Sequence, residues 1–199
     1  MNLKLGDKLL FKDFNFSFAG PGIVLIEGDN GAGKSSLLKV FSGFINPTEG
    51  IISFAGKRPG DISPAEFSFF TTTSLGLLND LTGREHIEVV AKALNVHPDV
   101  VNAKILEFKK IELFKEILMK PVLDHSQGMR QFLRLFMHIF FEPRILFLDE
   151  PFLYLSPKIR QFLQDQIEKL SSGSMVFLTD QKFTWRPMMK NSKILLGER

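Results

Sequence analysis

Gly28-Asp29-Asn30-Gly31-Ala32-Gly33-Lys34-Ser35 decides how this chain is read. It matches G-x-x-x-x-G-K-[ST], in which glycines let the backbone curl until its N–H groups point inward at phosphate oxygens. The helix that follows presents its positive N-terminal end to the same oxygens. In this pattern Lys34 reaches the β- and γ-phosphates and the Ser35 hydroxyl is a ligand for Mg2+. Gly28, Asn30, Gly31, Ala32, Gly33 and Ser36 complete the candidate cradle. The flanks agree with it. Ile23-Val24-Leu25-Ile26 is a short apolar run that enters the loop as a strand. Residues 34–44 turn helical, with Leu37, Leu38 and Phe41 on one face, until Gly43, Pro47 and Gly50 stop the helix. A chance Gly-rich turn has no reason to carry strand, loop and helix in register, so the reading is a nucleoside triphosphate site.

A second part of that site lies far along the chain. Ile145-Leu146-Phe147-Leu148-Asp149-Glu150 is an apolar strand ending in two acids. A buried strand that terminates in Asp sets the carboxylate at the C-terminal edge of a sheet, where the phosphate loop also sits. Asp149 then holds Mg2+ through water, and Glu150 orients or deprotonates an attacking water.

Working outward, Phe14, Phe16 and Phe18 alternate with polar residues and predict a half-buried strand. Further strands are predicted at 51–54, 66–70, 175–179 and 193–196. The middle reads differently. Segments 84–94, 99–109 and 127–141 are helical, the last stopped by Pro143, and 157–170 is a helix with Pro at its start. Strands alternate with helices at both ends, around a helical block at roughly 80–142. The fold class is therefore α/β: one domain, with 1–79 and 143–199 as a nucleotide-binding core and 80–142 as an inserted helical sub-domain.

Composition sets the exclusions. The chain has 199 residues with 44% hydrophobic and 24% charged, enough to bury a core. A net charge of +3, scattered along the chain, predicts no nucleic-acid track. The absence of cysteine removes disulfides, thiolate metal sites and thiol catalysis. The longest apolar stretch, 132–141, is interrupted by Arg134 and His138, and the first seven residues lack a signal core. A membrane role thus needs another chain to cross the bilayer. There are 21 Phe beside one Tyr and one Trp, which reads as a Phe-packed core with some rings free to face a partner.

Asp149-Glu150-Pro151, together with Ser126-Gln127-Gly128-Met129-Arg130-Gln131 just upstream, resembles an ABC-type ATPase subunit. That family's signature loop is usually Leu-Ser-Gly-Gly-Gln, with a Ser-x-Gly-Met-x-Gln form in exporter branches. The resemblance covers essentially the whole chain. It takes in Ser42-Gly43-Phe44-Ile45-Asn46-Pro47-Thr48-Glu49-Gly50 and Asp80-Leu81-Thr82-Gly83-Arg84-Glu85, and looks most like haem-exporter or other small export-type ATP-binding subunits. It implies a P-loop NTPase core with a mainly parallel sheet and an N-terminal antiparallel β part. It also implies ATP and Mg2+ as cofactors and two such domains paired head to tail, as a homodimer or a heterodimer. Ser126 and Gly128 would then cap the γ-phosphate held by the other domain. A transmembrane transporter subunit completes the assembly, with this chain peripheral on the cytoplasmic face. Ser126 also reads as an ordinary N-cap, and the two uses are compatible.

The departures from the family pattern lie in the loops that sense the γ-phosphate. The usual glutamine at the start of the helical block is missing, and Thr73 or Ser74 takes its place as the ligand of Mg2+-bound water. The switch histidine is replaced by Gln181, which donates a hydrogen bond without carrying charge. The loop after Pro151 ends in Leu155-Ser156 instead of Leu-Asp. Leu5 stands at about the position of the family's adenine-stacking aromatic, and Phe11, elsewhere on the same loop, is the candidate substitute. His125 stands at the first signature position and reads as a surface or interface histidine. The expected function is ATP binding and hydrolysis that powers export through a separate membrane subunit, slow or partner-dependent. The alternative is a degenerate regulatory nucleotide-binding subunit paired with a more active chain. A small-molecule P-loop kinase has no use for the 126–131 signature. A soluble ABC ATPase usually carries two cassettes or a long insertion.

Overall fold

A computed structural model describes residues 1–5, 8–71, 76–108, 112–180 and 191–196. Its centre is a five-stranded, all-parallel sheet in the order β4-β5-β6-β3-β7. The strands are β3 (Gly22–Gly28), β4 (Phe67–Thr71), β5 (Ile145–Asp149), β6 (Met175–Thr179) and β7 (Asn191–Leu196). An antiparallel pair, β1 (Leu3–Leu5) and β2 (Lys8–Phe11), precedes it. The helices are α1 (Lys34–Phe41), α2 (Gly83–Ala93), α3 (Pro98–Phe108), α4 (Glu112–Met119), α5 (Gln127–Phe140) and α6 (Pro157–Leu170).

The central strands are apolar almost without break because both faces of the sheet are covered. Successive side chains point to opposite faces, so each strand feeds two cores. Ile23, Leu25, Leu146, Leu148, Val176 and Leu178 join residues of α2–α6 on one face. Val24, Ile26, Ile145, Phe147 and Phe177 join Leu37, Leu38 and Phe41 of α1, with Leu3 and Phe11, on the other. Asp149 and Thr179 follow the alternation onto the α1 face. Glu27, buried in β3, is paired with Lys193 of β7.

Phenylalanine fills both cores. Phe41, Phe54, Phe147 and Phe177 form a ring chain on the α1 side, with Phe147 and Phe177 stacked at 5.0 Å. Phe108, Phe114, Phe132, Phe136 and Phe162 do the same among the helices. Phe44 is the outlier, 68% exposed.

Two expected strands do not form. No strand covers Phe14, Phe16 and Phe18. Asp13 turns the chain with φ 50°, and the rings of Phe14 and Phe16 lie over Phe41 instead of alternating across a ladder. At 51–54 there is only an antiparallel bridge from Phe54 to Lys57, around a tight turn with positive φ at Ala55 and Gly56. Among the described residues the antiparallel β part is thus the β1–β2 pair, with isolated bridges at Asn2–Glu49 and Phe54–Lys57. The helix expected at 99–109 is found as α3 over 98–108, and a further helix, α4, comes after it.

Candidate functional site

The phosphate loop connects β3 to α1. Gly28 has φ 154°, and a Cβ there would lie 2.6 Å from the Leu196 carbonyl oxygen of β7. Only glycine fits where strand and loop pass this close. Gly31 (φ 82°) and Gly33 (φ 98°) supply the left-handed turns that curl the loop. Gly33 is the N-cap of α1, and no side chain caps that helix end. The first-turn N–H groups are therefore left to an anion. Lys34 is buried, and its Nζ donates to the carbonyls of Gly28 at 2.6 Å and Asp29 at 2.9 Å. Ala32 is buried, Ser35 and Ser36 are half-buried, and Asn30 is exposed.

The two distant parts of the sequence meet here. Ser35 Oγ donates to Asp149 Oδ1 at 2.9 Å. Thr179, fully buried at the end of β6, donates its hydroxyl to the same oxygen at 2.8 Å. It also accepts the backbone N–H of Glu150 at 2.9 Å. Parallel register places Asp149 directly beside Thr179. Glu150 is half-buried with φ 50°, a kink that turns it off the strand. Among the described residues no three acids or histidines cluster as a metal cage. A hydroxyl beside one carboxylate suits a hard cation that takes its remaining oxygens from phosphate.

Ser126 is exposed and accepts the N–H of Met129 at 3.2 Å, capping α5. Gly128 lies in the first turn, and a Cβ there would find the Tyr154 carbonyl oxygen at an ordinary 3.4 Å. Gln131 is buried and donates to the Pro151 carbonyl at 3.1 Å, tying α5 to the loop after the two acids.

The ABC transporter family pattern matches residues 11–153. The chain belongs to the ABC transporter family. Its fold and its α/β sheet are those of an ATP-binding cassette, and ATP binding with hydrolysis is the activity of that class. It is 28% identical over 180 residues to the cytochrome c biogenesis ATP-binding export protein CcmA of Cupriavidus pinatubonensis, covering 89% of this chain and 79% of that one. It is 32% identical over 155 residues to the lipoprotein-releasing system ATP-binding protein LolD of Wigglesworthia glossinidia brevipalpis, covering 72% of this chain and 66% of that one. A solved structure of the ATP-binding subunit of an ABC transporter superposes with a TM-score of 0.79 at 25% identity, over 91% of this chain and 77% of the other.

Within this cassette, Thr73, Ser74 and Gln181 lie outside the described residues. The other candidates divide into two groups. Gly28 to Ser36, Asp149 and Glu150 converge at the C-terminal edge of the sheet. Ser126 and Gly128 sit at the N-terminal end of α5. His125 is buried, not at the surface, because the turn at Val122–Asp124 folds it under, with Nε2 3.1 Å from the Lys120 carbonyl oxygen. That burial holds its pKa below the ordinary histidine value. Phe11 is 7% exposed and packs on Phe14, so it offers no open face to a base. Thr179 is the member of the site that the sequence did not single out. Among the described residues no helix is long and apolar enough to cross a membrane.

Proposed function

We propose that this cassette binds ATP with Mg2+ and hydrolyses it to power export through a separate membrane subunit. The meeting of Ser35, Asp149 and the Glu150 backbone at the mouth of the phosphate loop carries this reading. Gly28, Asn30, Gly31, Ala32, Gly33 and Ser36 cradle the phosphates through the loop backbone and the α1 N-terminus. Lys34 holds the β- and γ-phosphates. Ser35 and Asp149 would hold Mg2+, with Thr73 as a further ligand through water. When bound, Mg2+ neutralises charge on the β- and γ-phosphate oxygens. Glu150 takes the proton of the attacking water, and Gln181 donates to the γ-phosphate.

Gly128 supports the paired arrangement. Its φ is not left-handed and space exists for a Cβ, so nothing within the chain demands glycine there. A demand from outside, namely the close approach of a triphosphate held by a second cassette, explains it. Ser126 is exposed on the same helix end. Residues 1–79 and 143–199 then form the nucleotide-binding core and 80–142 the helical sub-domain that turns toward the other cassette. Closure on ATP and release on hydrolysis move a membrane subunit at the cytoplasmic face. The export direction is supported by the exporter form of the signature and by likeness to export proteins.

The replacements Gln181, Thr73 and Ser156 favour a second reading, a regulatory subunit with little hydrolysis that closes on a more active partner. Glu150→Gln tests both. It keeps the shape and loses the base, so ATP stays bound and hydrolysis stops. With ATP and Mg2+ the variant should sediment as a dimer. A monomer at high protein concentration would rule out symmetric homodimer closure and favour the heteromeric pair.

A further inference from the structure

We infer that Thr179 is a positioning residue that sets the geometry of both acids at once; this rests on the reading of Asp149 as the Mg2+ acid and Glu150 as the base. A hydroxyl has one proton and two lone pairs. Here the proton goes to Asp149 Oδ1 at 2.8 Å, and one lone pair takes the Glu150 N–H at 2.9 Å. The same Oδ1 accepts from Ser35 at 2.9 Å. Two hydroxyl donors on one oxygen fix the plane and rotation of the carboxylate. The carboxylate that would hold the cation is therefore presented in one orientation to the phosphate loop.

Glu150 needs the second bond more. Its φ of 50° is an uncommon conformation for a residue with a Cβ. The bond from its N–H to a fully buried hydroxyl holds it in that kink. The kink ends β5 and removes Glu150 from the strand alternation, so its side chain does not follow Leu148 into the helical core. The in-register pairing of Asp149 with Thr179 makes this possible, because the strand ends stop side by side. In the sequence Thr179 stands two residues before Gln181.

Thr179→Val keeps the shape and deletes both bonds, and Thr179→Ser keeps the hydroxyl. Three measurements on the 199-residue chain decide the matter: fluorescent ATP affinity without metal, Mn2+ affinity of the ATP-bound protein by electron paramagnetic resonance, and kcat. The valine variant should bind ATP within about twofold of wild type, since neither bond touches the phosphates. Its Mn2+ affinity and kcat should each fall at least about tenfold, the size of one lost hydrogen bond to a carboxylate. Serine should restore both to within about threefold. If valine does not fold, Thr179→Ala takes its place against serine. Wild-type Mn2+ affinity and kcat in the valine variant would overturn the inference. So would equal losses with valine and serine that follow melting temperature, which mark a packing role. Asp149→Asn is the control. If it leaves Mn2+ binding unchanged, the metal reading itself fails; if it abolishes binding while valine does not, only the role of Thr179 fails.

Discussion

The Ser35 hydroxyl donates to Asp149 Oδ1 at 2.9 Å, joining residues 114 positions apart. One lies in the first turn of α1 and the other at the last position of β5. The sheet order puts β6 between β5 and β3, the strand that leads into α1, so the contact bridges over the end of β6. There Thr179 meets the same carboxylate oxygen at 2.8 Å. The site is thus assembled by the alignment of three strand ends, and its precision depends on the parallel register.

Gly128→Ala separates the needs of the fold from those of the pair. A Cβ meets only ordinary contact, and alanine favours helix by up to about 1 kcal/mol in a helix interior, less in the first turn. The melting temperature of the isolated chain should stay the same or rise slightly. ATP-dependent dimer formation, read by analytical ultracentrifugation with Glu150→Gln as the background, should weaken. Wild-type dimer formation in the alanine variant would show that Gly128 does not face a ligand.

His138 gives a pH-dependent stability. It is half-buried with Nδ1 2.6 Å from Ser68 Oγ, and loss of solvent around the ring pushes its pKa down from 6.5 to about 4. The unfolded chain takes up a proton near pH 6.5 while the folded chain stays neutral. The contribution is therefore complete above pH 6.5 and is lost as pH falls toward about 4. Its slope is at most about 1.4 kcal/mol per pH unit. Urea unfolding of wild type and His138→Gln between pH 7 and 4.5 should show a difference that shrinks as pH falls. A constant difference would mean that His138 is not held neutral.

Gln181→His asks whether one replacement accounts for slow hydrolysis. A charged donor to the transferring phosphate should raise the rate about tenfold, on the order of 1–2 kcal/mol. The gain should vanish in the Gln181→His, Glu150→Gln double variant. An unchanged rate with ATP binding intact would favour the regulatory subunit.

The sequence announced the phosphate loop because its chemistry needs glycines and a lysine at fixed spacing within one turn. Asp149 was legible because an apolar strand ending in acids has few other uses. Thr179 was not, since its role comes from the β5–β6 register, and a threonine closing a strand is unremarkable by itself. The 14–18 strand failed because alternating Phe records which rings touch α1, not whether the backbone joins a ladder. The helix α4 was missed because Ile105, Phe108, Ile111 and Phe114 run on at a three-residue spacing across the boundary between two helices. β1 and β2 are short, and their few residues carry little pattern.

Lys34 offers the most direct test of the central claim, that a triphosphate sits in the loop between β3 and α1. Its ammonium now rests on the loop's own carbonyls at Gly28 and Asp29, within the turn that the phosphates would enter. A charge-assisted contact to phosphate is worth about 1.5–3 kcal/mol. Fluorescent ATP should therefore bind Lys34→Ala at least about tenfold more weakly than wild type, with the fold intact by circular dichroism. Equal binding by the two proteins would contradict the account.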